Sequence, residues 1–120
     1  MAKRTLICDD AAFMRMMLKD ILSKGGYEVV GEAQNGQRAV EHYAALKPDF
    51  VMMDTVMPEM DGVAALREIR KQDPAACVIL CAADGEKKML IEAVKLGAKG
   101  YIMKPYRAAT VLEELKKTIG

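Results

Sequence analysis

Tryptophan is absent from these 120 residues, histidine occurs once and cysteine three times, which removes most of the side chains used for zinc binding and imidazole catalysis. Cys8, Cys77 and Cys81 have neither a CxxC spacing nor histidine partners, so buried reduced thiols are expected rather than ligands. His42 stands in a helical stretch among Glu41, Tyr43 and Ala44; it is expected to be solvated and is given no role. No apolar segment is long enough for a spanning helix, and Met-Ala-Lys-Arg-Thr leads straight into a short strand-like run. Neither a leader nor a membrane anchor is expected, and the location expected is cytoplasmic. Charge of one sign is lacking too. Eighteen basic and seventeen acidic residues leave a formal charge of +1, which argues against nucleic acid or a membrane surface as partner. Linkers, low-complexity tracts and repeats are missing, so one domain over 1–120 with its own core is expected.

What is present is a fivefold alternation of β-rich runs with amphipathic stretches, the pattern of a doubly wound α/β parallel sheet with crossover helices. Arg4 to Cys8 reads as a strand, followed by Phe13, Met17, Leu18, Ile21 and Leu22 at helical spacing until Gly25-Gly26. Tyr27 to Ala33 is the second strand, and Asn35-Gly36 opens a helix carrying Val40, Tyr43 and Leu46 that Pro48 stops. Asp49 to Met53, nearly all apolar, suits a central strand covered on both faces. A third helix carries Val63, Leu66 and Ile69 and ends near Asp73-Pro74, before a strand centred on Val78 to Leu80. Leu90, Ile91 and Val94 mark a fourth helix closed by Gly97. Tyr101 to Met103 is a short last strand, and Val111, Leu112, Leu115 and Ile119 stripe a fifth helix. The ten methionines, Met14, Met17, Met52 and Met53 among them, are read as core filling.

Right-handed crossovers put every strand's C-terminal end on one edge of such a sheet, where ligands bind. Asp9-Asp10, Asp54 and Lys104 each follow an apolar run, and the run from Cys77 to Cys81 ends at Ala82. Three carboxylates brought together repel, which favours protonation of one of them unless a cation intervenes. Few hard oxygen ligands with room for water and phosphate suit magnesium better than zinc or calcium. Asp54, ending the most apolar strand, is the candidate nucleophile toward phosphorus, with Lys104 countering charge on the transferred group. The plainer alternatives are an N-cap for Asp10 and a solvated lysine at 104.

Those residues are recognisable together. Leu6 to Asp10, Asn35-Gly36 with Ala39, Asp54 followed by Met57-Pro58-Glu59-Met60-Asp61-Gly62, and Gly97-Ala98 through Tyr101 to Lys104-Pro105 run essentially end to end. They resemble the receiver domains of two-component response regulators, most closely the stand-alone chemotaxis members. The resemblance, and not the residue pattern, implies the strand order 2-1-3-4-5 of a flavodoxin-like sheet with five helices. It also implies that Asp54 accepts a phosphoryl group from a phosphohistidine on a sensor kinase. Asp10, Asp54 and the main-chain carbonyl of Val56 would bind Mg2+, with Asp9 acting through water. Lys104 would contact the phosphoryl group, the Lys104-Pro105 bond would be cis, and Tyr101 matches an aromatic that swings inward on activation. For Tyr101 a groove-filling edge-strand tyrosine is the alternative.

One position departs from the family. Serine or threonine normally ends the fourth strand and bonds a phosphoryl oxygen; here it is Ala82. The lost bond is worth about 1.5 to 3 kcal/mol, a large share of the roughly 5.5 kcal/mol needed for full switching. Phosphorylation with weakened coupling to Tyr101 is therefore expected. Thr55 is turned to the other face by strand alternation and is not expected to substitute. Asp84 would either position water or repel the acyl phosphate.

Without an effector domain the output must be binding. Lys87, Lys88, Lys95, Lys99, Tyr101, Tyr106 and Arg107 form the expected partner surface, suited to an acidic amphipathic peptide. The partners implied are a chemotaxis-type histidine kinase, the flagellar motor switch protein and a phosphatase, acting on a monomer. Enzymatic turnover is not expected beyond self-phosphorylation and self-dephosphorylation at Asp54. A haloacid-dehalogenase-like phosphotransferase would need an acid where Val56 stands. A degenerate receiver, serving as a phosphate sink or a phosphorylation-independent binding module, is the alternative that Ala82 raises.

Overall fold

A computed structural model describes residues 2–120. Five parallel strands, β1 (Arg4–Cys8), β2 (Glu28–Ala33), β3 (Phe50–Asp54), β4 (Val78–Ala82) and β5 (Gly100–Met103), form one sheet in the order β2-β1-β3-β4-β5. The helices between and after them are α1 (Ala12–Lys24), α2 (Gly36–Leu46), α3 (Gly62–Gln72), α4 (Lys87–Lys95) and α5 (Ala108–Ile119). The order is the one the family resemblance implied.

Side-chain alternation along the central strands builds two cores. Leu6, Cys8, Val51, Met53, Val78 and Leu80 face α2, α3 and α4, whereas Ile7, Phe50, Met52, Ile79 and Cys81 face α1 and α5. Both sets are buried, which is why β3 and β4 read as unbroken apolar runs. The starts of α2 and α3 are fixed by side chains: Asn35 Oδ1 accepts the Arg38 N–H at 2.8 Å and Asp61 Oδ1 accepts the Ala64 N–H at 2.8 Å.

The structure moves some expected features. β3 extends through Asp54, paired with Cys81, while Asp49 falls outside it and its carboxylate accepts the Arg4 N–H at 2.7 Å. The nucleophile candidate thus sits in the ladder rather than in a loop. Phe13, expected on the packed stripe of α1, is exposed, and its neighbour Met14 packs partly against the core instead. Ile91 and Val94 on α4 are exposed as well; Ala93 is that helix's only buried residue. Cys8 and Cys81 are buried and Cys77 is half-buried, all three as free thiols. His42 is half-buried, with Nδ1 enclosed and unpartnered. Among the described residues no helix is long and apolar enough to cross a membrane.

Candidate functional site

The strand tips bring Asp9, Asp10 and Asp54 together: one carboxylate oxygen from each lies within 4.8 Å of the others. Asp9 is 1% exposed, Asp54 5% exposed, and Asp10 opens to solvent. Lys104, just past β5, reaches back across this group, its Nζ donating to Asp54 Oδ1 at 3.0 Å and to Asp9 Oδ2 at 3.1 Å. The Lys104 N–H donates to the Ala82 carbonyl at 2.8 Å, and the Lys104–Pro105 peptide is cis.

Backbone contacts hold the acids in place. The Asp9 N–H donates to the Ala33 carbonyl at 3.0 Å, and its Oδ1 accepts the Ala11 N–H at 2.9 Å. The Arg15 guanidinium donates to the Asp9 carbonyl at 2.7 Å and is itself held by Glu32 at 3.0 Å, which also binds Lys19 at 2.8 Å. On the other side the Gly62 N–H donates to the Thr55 carbonyl at 2.8 Å. A Cβ at Gly62 would stand 1.9 Å from the Asp54 carbonyl oxygen, so only glycine lets α3 start so close to the acceptor.

Burial foremost pushes the Asp54 carboxyl up to about 6; Asp9 and Asp10 add to the rise and the Lys104 contact opposes it. Burial also works against the Lys104 charge, yet Asp54 and Asp9 outweigh it and hold its pKa above the ordinary lysine value. The cluster is an anionic, partly dry pocket with a charge excess that one lysine does not cancel. Hard carboxylate oxygens at this spacing fit a small divalent cation such as Mg2+, with coordination positions left for water or a phosphate oxygen.

The remaining sequence-derived positions divide. Ala82 is buried at the end of β4, and Val56 is exposed beside the pocket. Lys88 and Lys95 lie exposed on α4, and Tyr101 is 50% exposed on β5. Lys87, Leu90, Ile91, Val94, Lys95 and Tyr101 line a shallow groove of about 350 Å³, apolar on its floor with lysines at its rim. Tyr106 does not belong to that surface. It is 7% exposed and packs with Ile7, Cys81 and Val111, because a phenol ring gains more from the α1–α5 core than from solvent. Sequence reasoning missed Arg15 and Glu32, which fasten the Asp9 main chain, and Glu86, whose carboxylate binds Thr55 and the Ala83 N–H. A basic residue beyond the first turn of α1 is the only local sign of the first pair; the last has none.

A doubly wound sheet with a cation-ready acidic pocket at its strand tips defines a small α/β signalling domain. The family model described as response regulator receiver domain matches residues 5–116, and the chain belongs to that family. It is a phosphorylation-dependent signalling switch of the chemotaxis-regulator type, a class of signalling proteins rather than enzymes, and receiver domains bind Mg2+ at this acidic pocket. The chain is 60% identical over 117 residues to the chemotaxis protein CheY of Thermotoga maritima, covering 98% of each. It is 56% identical over 119 residues to CheY of Bacillus subtilis, covering 99% of each. Among solved structures, the CheX–CheY–BeF3–Mg2+ complex from Borrelia burgdorferi matches with a TM-score of 0.93 at 32% identity, over 98% of this chain and 90% of that one.

Proposed function

We propose that Asp54 is the phosphoacceptor of a chemotaxis two-component system, taking its phosphoryl group from a phosphohistidine on a histidine kinase. The observation that carries this reading is the Asp54 carboxylate, fixed by the β3 ladder and paired with Lys104 inside a pocket shared with Asp9 and Asp10. Near neutral pH a carboxyl with a pKa of about 6 is mostly ionised, so an oxygen lone pair is available for phosphorus. One carboxylate oxygen bonds phosphorus as the phosphorus–nitrogen bond breaks and the imidazole leaves with that electron pair. Lys104, held by both acids, stands ready to counter charge on the phosphoryl oxygens. Asp10, Asp54 and the Val56 carbonyl would hold Mg2+, with Asp9 beside it; bound there, the cation supplies neutralisation of the acids and of the incoming phosphate.

The output reading follows from α4. A helix that buries only Ala93 and leaves Ile91 and Val94 outward has an apolar face to offer, and Lys87, Lys88 and Lys95 surround it with positive charge. That chemistry suits an acidic amphipathic segment such as one from the flagellar motor switch protein, while a phosphatase would approach the pocket itself. A cytoplasmic monomer carrying these functions within 1–120 completes the proposal.

The deciding experiment is Mg2+-dependent labelling of Asp54 by a small phosphodonor, read by intact mass alongside binding of a motor-switch peptide. Labelling lost in D54N and in EDTA is expected; labelling that persists in D54N overturns the assignment. Ala82 favours a second reading, a phosphorylation-independent binding module. Equal peptide affinity with and without the donor, restored to a difference by A82S, would select it.

A further inference from the structure

Residues 83–86 cross the strand tips between Ala82 and α4, and one side chain fastens them. Glu86 presents a single carboxylate oxygen, Oε1, to two donors: the Ala83 main-chain N–H at 2.8 Å and the hydroxyl of Thr55. Thr55 is wholly buried and directly follows Asp54, with its own N–H donating to the Cys81 carbonyl at 3.2 Å. Glu86 directly precedes α4, and its carbonyl accepts the Leu90 N–H at 3.1 Å. A covalent neighbour of the acceptor is thus joined through one side-chain contact to the first turn of the groove-bearing helix. The path does not pass through residue 82.

We propose that the Thr55–Glu86 contact is a latch: it holds the β4–α4 loop and α4 in the unmodified chain, and a phosphoryl group on Asp54 releases it. This rests on the receiver reading above and adds two positioning residues to it. Hydrogen bonds to a carboxylate from a buried hydroxyl and a main-chain N–H are among the stronger neutral-donor contacts a loop can make. α4 buries only Ala93 fully and packs Met89 and Leu90 partly against the core, so the Glu86 bonds add a side-chain hold on the loop at the start of a lightly packed helix. An acyl phosphate makes the Asp54 side chain more negative, which raises the energy of a second anion bound to the adjacent residue. Glu86 then leaves, Ala83 loses its acceptor, and the first turn of α4 is free to shift.

The test uses the full chain with Mg2+ and the variants T55V, E86A, T55V/E86A and T55S. Two readouts are taken with and without a small phosphodonor: amide hydrogen exchange at Ala83, and affinity for an acidic amphipathic peptide. In the unmodified state T55V and E86A should each speed Ala83 exchange by about tenfold and shift peptide affinity about tenfold toward the phosphorylated parent's value. The double variant should add nothing further, and T55S, which keeps the hydroxyl, should match the parent. Ala83 exchange unchanged in both E86A and T55V, or additive effects in the double variant, overturns the latch. A parent that labels at Asp54 while E86A keeps the parent's ratio of affinities overturns the latch alone. A parent that does not label overturns the receiver reading and the latch with it.

Discussion

Replacing Asp54 by asparagine is expected to stabilise the magnesium-free protein at neutral pH, against the general rule that substitutions destabilise. Burial, together with Asp9 and Asp10 and against Lys104, moves the Asp54 carboxyl from 3.8 to about 6. Because the folded value lies above the unfolded one, the folded chain binds more protons between them, and stability falls as pH rises across that window. Once pH exceeds the folded value the full shift corresponds to at most about 3 kcal/mol, reduced by solvent screening at the open side of the pocket; below the unfolded value it corresponds to nothing. Asparagine brings no charge into the pocket. The stability difference between D54N and the parent should therefore be near zero at the acid end and rise to between about 1 and 3 kcal/mol by about pH 7. Urea unfolding in EDTA, followed by far-UV circular dichroism at a series of pH values, measures it through the midpoint at constant slope. Magnesium at about 100 times its Kd should return roughly 2.7 kcal/mol to the parent and much less to D54N. A D54N protein less stable than the parent at neutral pH in EDTA, or a difference that does not vary with pH, would refute the reasoning.

Restoring a hydroxyl with A82S should raise the ratio of peptide affinities with and without phosphodonor roughly 10- to 150-fold, equivalent to about 1.5 to 3 kcal/mol, read by fluorescence titration; an unchanged ratio would count against residue 82 as the source of weak coupling. G62A should lower stability by more than about 2 kcal/mol and reduce Asp54 labelling, because the new Cβ meets the Asp54 carbonyl rather than a movable side chain. Native-state maleimide labelling followed by mass spectrometry should modify half-buried Cys77 first. Burial pushes the Cys81 thiol up to about 12 and Cys8 higher still, so those two should react only as fast as the chain opens. Early labelling of Cys8 would contradict the packing described for β1.

Short-range physics made most of the fold readable. Apolar runs in β3 and β4 are long because both faces are covered, and Asn35, Asp61 and the glycines punctuate the helices where chain geometry requires it. Asp9, Asp54 and Lys104 stood out because a charge at the end of an apolar run gains nothing from packing. Tyr106 was misplaced for the converse reason: residues after Lys104-Pro105 look like a surface loop, and it is packing with the distant Ile7 and Cys81, together with Val111, that draws the ring inward. Phe13 fits the helical period of α1, yet periodicity does not tell it from its neighbour Met14, which packs partly against the core instead. Thr55 binds Glu86, a partner 31 residues away with no periodic signature. Pairings of that kind are set by topology, so they become visible only once β3 and the β4–α4 loop are placed.

Main-chain contacts on both acids make charge, rather than backbone position, the quantity most easily changed within the pocket. Asp9 is fastened through Ala33 and Arg15, and Asp54 through Cys81 and the close approach of Gly62. These contacts oppose any separation of the two acids that would relieve their repulsion. Relief has to come from something that changes charge between them: the Lys104 ammonium, a proton, or a dication. Lys104 is shared between Asp9 and Asp54, so altering the charge on either acid redistributes its hydrogen bonds, and its main chain is tied to Ala82 at the end of β4. Residue 82 is followed directly by the loop that Glu86 fastens. On the proposed latch, an event at Asp54 would reach α4 by two routes, through Lys104 and β4 and through Thr55 and Glu86. With alanine at 82 the first route would lack a hydroxyl to pull on, and the second is therefore expected to carry the larger part of the response.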